Sequence, residues 1–186
     1  MKMNRIWGAV LAAVCAAVLL GAAEKAPGLP EGDYFTCVNL WYEHDKPILS
    51  TNYHVGNRIP VGSRVSDLIV GRKRISFLYG GVRFELFHVK KFSRVPIETL
   101  KMRTFSKTDP LTTPAYLELT GAEQKAVREG RVEIGMSRDA VILSQGYPPE
   151  HRTPSLQQDV WTYWRNRILS FRVLFTGNRV SDIATR

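Results

Sequence analysis

Gly135-Met136-Ser137-Arg138-Asp139-Ala140-Val141-Ile142-Leu143 opens the most informative part of this chain. Gly146-Tyr147-Pro148-Pro149 follows, then Trp161-Thr162-Tyr163-Trp164-Arg165, and the part closes with Ile168 to Phe175, Thr176-Gly177-Asn178 and Arg179 to Ile183. Ser137 is a natural N-cap, because its hydroxyl can accept an otherwise unpaired first-turn N–H, and Asp139 suits the positive end of the helix dipole. Val141, Ile142 and Leu143 supply an apolar face. Gly146 and Pro148-Pro149 stop the helix. Val160 to Arg165 reads as a strand and Asn166-Arg167 as a two-residue turn. In the strand from Ile168 to Phe175, Leu169, Phe171, Val173 and Phe175 face one way, and Ser170 and Arg172 the other. A last short strand follows the glycine turn.

Working outward toward the N-terminus, Thr120-Gly121-Ala122-Glu123 is a capping box that predicts a helix through Glu129, ended by Gly130. Residues 116–186 thus read as two helices and an antiparallel three-stranded meander, an α+β layer. Thr108 to Pro114 is rich in Pro and Thr, and 108–115 is the expected linker. Before it, 34–107 reads as a β-rich domain of four or five strands. Tyr34 to Tyr42, Arg64 to Val70, Arg74 to Tyr79 and Val82 to His88 carry the β-branched and aromatic residues. Gly80-Gly81 is a hairpin turn, since glycine accepts positive φ without steric cost. Pro96 to Lys101 is a short helix.

The order Gly135-Met136-Ser137, Val141, Gly146-x-Pro148, Trp161-x-Tyr163, Phe175, Gly177-x-Arg179-Val180 and Ile183 resembles the SmpA/OmlA family, the BamE-like domain of bacterial envelope proteins. The resemblance covers roughly Leu117 to Ile183. It implies that a two-helix, three-stranded antiparallel BamE-like domain follows the β-rich domain. It also implies a non-catalytic, protein-binding role in the cell envelope, such as an accessory part in outer-membrane β-barrel assembly. Gly135, Ser137, Gly146, Pro148, Trp161 and Tyr163 correspond to scaffold positions of that family.

The N-terminus reads as an address. Lys2 and Arg5 precede an uncharged apolar run from Ile6 to Leu20, and Gly21-Ala22-Ala23 supplies small residues before Glu24. This is the layout of a secretory signal peptide over 1–23, with a flexible lead-in over 24–33. Cys15 lies inside the apolar run after Val14, so it is not a lipidation site. The expected location is the periplasm or the outer-membrane surface. Cleavage leaves Cys37 as the single cysteine, so stability must come from packing and not from a disulfide.

A hydrophobic fraction of 44% with 23% charged residues is that of a globular protein with a real core. The net charge of +9 points to anionic partners, and export argues against nucleic acid. Arg72, Lys73 and Arg74 with Lys90 and Lys91 are the candidate contacts to an anionic lipid surface. Trp164, Arg165 and Arg167 combine aromatic and guanidinium chemistry on one strand, and they are the candidate contacts to an envelope protein partner. No nucleophile elbow, phosphate-binding glycine loop or His/Cys ligand spacing occurs, so no catalytic, cofactor or metal residue is assigned. The alternative is a periplasmic enzyme or small-ligand binder using Cys37, His44, Asp45 and His54.

Overall fold

The computed structural model describes residues 32–44 and 46–185. The expected signal peptide, nearly all of the lead-in and Asp45 lie outside them. The chain is α+β and mostly sheet. The strands are β1 (Tyr34–Thr36), β2 (Leu40–Tyr42), β3 (Ile48–Leu49), β4 (Asn57–Ile59), β5 (Arg64–Val70), β6 (Arg74–Tyr79), β7 (Val82–Phe87), β8 (Phe105–Ser106), β9 (Val160–Trp164), β10 (Ser170–Thr176) and β11 (Arg179–Thr185). The helices are α1 (Ile97–Thr104), α2 (Pro114–Leu117), α3 (Gly121–Glu129) and α4 (Arg138–Gln145).

Three sheets result. The largest has the order β3-β7-β6-β5-β1-β8, with β3 parallel to β7 and every other pair antiparallel. Tyr79 pairs with Val82, and both Gly80 and Gly81 adopt positive φ, which makes the expected tight hairpin turn. The meander β11-β10-β9 forms the second sheet, and β2 with β4 the third. The run Tyr34 to Tyr42 is therefore not one strand. It breaks at Cys37–Asn39 and feeds two different sheets.

Both long caps form as their residue types require. The Thr120 side chain accepts from the Glu123 N–H, and Glu123 reaches back to the Thr120 N–H at 3.0 Å. Ser137 Oγ accepts from the Ala140 N–H at 3.2 Å, which starts α4. Glu123 does more than cap its own helix. It is buried, and its Oε1 accepts from the Ser137 N–H at 2.8 Å and from Arg179 at 2.9 Å. One carboxylate thus ties the starts of α3 and α4 to the start of β11. Burial pushes this carboxyl up, but the hydrogen bonds from Ser137 and Thr120 outweigh it and hold the group below its usual value.

The expected arrangement, a β-rich domain followed by a two-helix, three-stranded antiparallel BamE-like domain, is not what the structure shows. Helices α3 and α4 and the meander are parts of a larger body. Their core, around Trp161, Tyr163, Val141 and Val173, takes in Val61 from the N-terminal half and Tyr116 from α2. Ile142 of α4 packs against this core and also against the other one, around Ile59, Leu68, Ile75 and Phe77. The Pro- and Thr-rich stretch 108–115 carries structure of its own. Pro110 begins a short 3-10 helix, Pro110–Thr112, capped by Asp109, and its ring is buried.

Two asparagines join the halves. Asn39 is fully buried; its Nδ2 donates to the carbonyls of Val127 (2.8 Å) and Ser144 (2.9 Å), and its Oδ1 accepts from the Val61 N–H (2.9 Å). Asn52 Nδ2 donates to the carbonyls of Asn39 (2.9 Å) and Gln145 (3.0 Å), while its Oδ1 accepts from the Trp41 N–H (3.0 Å). Buried polar groups are tolerated only when satisfied, and these are satisfied across the junction of the two cores. Gly146 is required beside them. Its φ is +82°, and a Cβ there would meet Asn52 Nδ2 at 2.9 Å.

Candidate functional site: an aromatic groove at the junction

A concave surface of about 810 Å³ lies where the 43–56 segment meets the turn between β9 and β10. Its walls are Trp41 and Tyr42 at the end of β2, then Leu49, Tyr53 and Val55, and, facing them, Asn166 to Leu169. Local chemistry explains why each wall stands where it does. Asn52 takes a left-handed φ of 47° and holds the Trp41 backbone with its side chain, which bends the segment back over β2. The His54 N–H then donates to the Trp164 carbonyl at 3.1 Å, docking the segment on β9.

On the opposite wall, Asn166 Oδ1 accepts from the N–H groups of both Ile168 and Leu169 at 2.8 Å, and the Arg165 N–H donates to the Leu169 carbonyl. This side-chain-closed turn satisfies its own backbone. It leaves Ile168 85% and Leu169 46% exposed. Val55 is also exposed. Aliphatic side chains presented to water beside an aromatic wall mark an interaction surface more than a satisfied core. Glu43 and Lys46 pair at 3.0 Å on the rim, whereas Arg167 has no ion-pair partner among the described residues.

Behind the groove lies His54. Its ring centroid is 4.2 Å from that of Trp41, 5.5 Å from Phe171 and 5.7 Å from Tyr163. Nε2 meets the Gln145 carbonyl at 3.0 Å, so it carries the hydrogen, and Nδ1 is buried without a hydrogen-bond partner among the described residues. Burial disfavours the imidazolium and brings the pKa down to about 4, against a smaller upward pull from the Gln145 carbonyl. His54 is therefore neutral at ordinary pH.

No family model, curated protein or solved structure matches this chain.

The structure separates the residues expected to form one partner site. Arg167 lines the groove. Arg165 lies over the Phe171 ring at 5.8 Å and borders the neighbouring hollow that contains His54. Trp164 is half-buried and stacks on His151 with 6.2 Å between ring centroids. Trp161 and Tyr163, on the other face of β9, are buried in the core. The expected anionic-surface residues also divide. Arg72 and Lys90 line a second groove, Arg74 pairs with Glu85 at 3.2 Å, and Lys91 lies over Phe92 at 5.5 Å. Lys73 is exposed at the β5–β6 turn, and its carbonyl accepts from the His88 N–H.

Cys37, His44 and His54 fall in different surroundings. Cys37 packs against the N-terminal core, and burial pushes its thiol up to about 11, which keeps it protonated and poorly nucleophilic. His44 is exposed in the segment between β2 and β3. Among the described residues no three His, Cys, Asp or Glu side chains come together as metal ligands.

Sequence reasoning missed Trp41, Tyr42, Tyr53, Val55, Ile168 and Leu169. One signal was available. Ile168 and Leu169 follow a turn directly, and adjacent apolar residues in a strand point to opposite faces, so one of them had to lack a core position.

Proposed function

We propose that this is an exported, non-enzymatic cell-envelope protein that binds an extended apolar segment of a partner protein in the aromatic groove. Such a role is accessory in kind, serving the assembly or upkeep of the envelope, with the protein in the periplasm or at the outer membrane. The observation that carries the reading is the exposed Ile168-Leu169 pair held opposite Trp41, Tyr42 and Tyr53. The basic start, apolar run and small-residue end of residues 1–23 support export.

The occupant follows from the lining. Apolar anchors would seat between the aromatic rings and Ile168, and an acidic residue beside them would meet Arg167, which has no ion-pair partner among the described residues. His54, a weak base with its pKa brought down to about 4, and Cys37, a thiol kept protonated, are poorly suited to base or nucleophilic chemistry, which favours binding over catalysis at these positions. Chemical-shift mapping tests the reading. The isotope-labelled protein is titrated with extended peptides that alternate large apolar residues with Asp. Shifts concentrated at residues 41–55 and 165–169 support it. Shifts confined to other surfaces, or saturable binding by none of the peptides, refute it.

A further inference from the structure

The second groove, about 530 Å³, is lined by no residue of the aromatic one. Arg72 from the β5–β6 turn, Lys90 from the segment after β7 and Arg94 from the approach to α1 converge there. Pro96, Ile97 and Glu98, the start of α1, form a further wall. Pro96 occupies the N-cap, and no side chain caps the helix, so the positive end of α1 opens on the groove. Glu98 is the one carboxylate in the lining, which leaves two positive charges in excess.

An independent feature points to a ligand. His88 is 94% buried, as its 6% exposure shows, and it also lines this groove. Its Nε2 lies 3.1 Å from the Ser93 carbonyl, which can only accept, so Nε2 carries the hydrogen. Nδ1 is buried and has no hydrogen-bond partner among the described residues. A buried polar atom left unsatisfied beside a cationic groove calls for a group that brings its own hydrogen-bonding capacity.

We propose that this groove is a phosphate site, taking inorganic phosphate or a phosphomonoester. A phosphate supplies up to two negative charges to match the excess. It also supplies several acceptor oxygens for Arg72, Lys90, Arg94 and the first-turn N–H groups of α1. Inorganic phosphate as the hydrogenphosphate dianion, and a phosphomonoester as its monoanion, each keep one P–OH, which can donate to an unprotonated Nδ1 of His88. The phosphate comes either as a small solute or as the exposed headgroup of a lipid.

Calorimetric titration of the purified protein with inorganic phosphate, and co-sedimentation with phosphatidylcholine vesicles with or without phosphatidic acid, test the site and separate the two sources. The variants are Arg94→Gln and, as a control of equal charge loss, Lys125→Gln at an exposed position of α3. Thermal unfolding verifies that each is folded. Saturable binding of phosphate, or selective binding of phosphatidic acid vesicles, weakened about tenfold by Arg94→Gln and less than about twofold by Lys125→Gln, establishes the site. Binding of phosphate alone assigns it to a small solute, and binding of the vesicles alone to a headgroup. Failure of both probes, or equal loss in the two variants, overturns the proposal.

Discussion

Asn39 makes three buried hydrogen bonds to three backbone groups that are distant in sequence. Asn39→Leu leaves the Val61 N–H and the carbonyls of Val127 and Ser144 without this partner. Each unsatisfied buried group costs about 1–3 kcal/mol, so a loss of about 4 kcal/mol is expected in urea denaturation. An effect below about 1 kcal/mol would mean that water replaces the side chain. His54 carries a different signature. The unfolded chain takes up a proton at the ordinary value of 6.5, whereas the folded protein resists until about 4. Its contribution is therefore complete above pH 6.5 and is lost as the pH falls toward 4, at about 1.4 kcal/mol per pH unit and about 3 kcal/mol in all. His54→Phe should flatten this part of the stability–pH curve. An unchanged acid slope would show that the ring titrates as it does in water. Neither role was legible in the sequence, because an asparagine or a histidine in a β-rich run looks the same whether it meets solvent or buried backbone groups.

At the scale of elements, much was legible, since caps and tight turns are local. Thr120 with Glu123, Ser137, Gly130 and Gly80-Gly81 do what their types and spacing require. Less visible was how one element borrows from another. Glu123 caps α3 as expected, and it also holds the first N–H of the α4 entry and Arg179 of β11. Glu123→Gln keeps the shape and removes the charge. A destabilisation of about 2 kcal/mol is expected at pH 7, since hydrogen bonds to charged groups are worth about 1.5–3 kcal/mol. The carboxyl is held below its free value of 4.5. Its contribution is thus present above that value and lost as the pH falls below it, so wild type and variant should converge in strong acid. A constant gap down to pH 2 would contradict the charged role. Strand edges were also misread. Ile168 and Leu169 continue an apolar alternation on paper, yet Asn166 closes the turn over their N–H groups and β10 starts only at Ser170.

For the whole molecule, the α+β class was legible from hydrophobic periodicity, whereas the sharing of core residues between the two halves was not. Periodicity reports which residues leave water, and it is silent about which core they join. Val61 and Tyr116 enter the C-terminal core from either side of the expected linker, and Ile142 faces both cores. The aromatic groove exists only because this junction brings the 43–56 segment against the β9–β10 turn. The same junction places Arg167 and Trp164 on different surfaces although they are three residues apart in sequence. A single affinity ratio reports on binding at the groove. An apolar, Asp-containing peptide selected on the wild-type protein is titrated against Ile168→Asp and against Val82→Asp, which alters an exposed aliphatic residue on β7. Replacing a central anchor by a charge costs about 1–2 kcal/mol or more. Ile168→Asp should lose at least about tenfold in affinity and Val82→Asp less than about twofold. Equal affinity for the wild-type protein and Ile168→Asp would contradict binding at the groove.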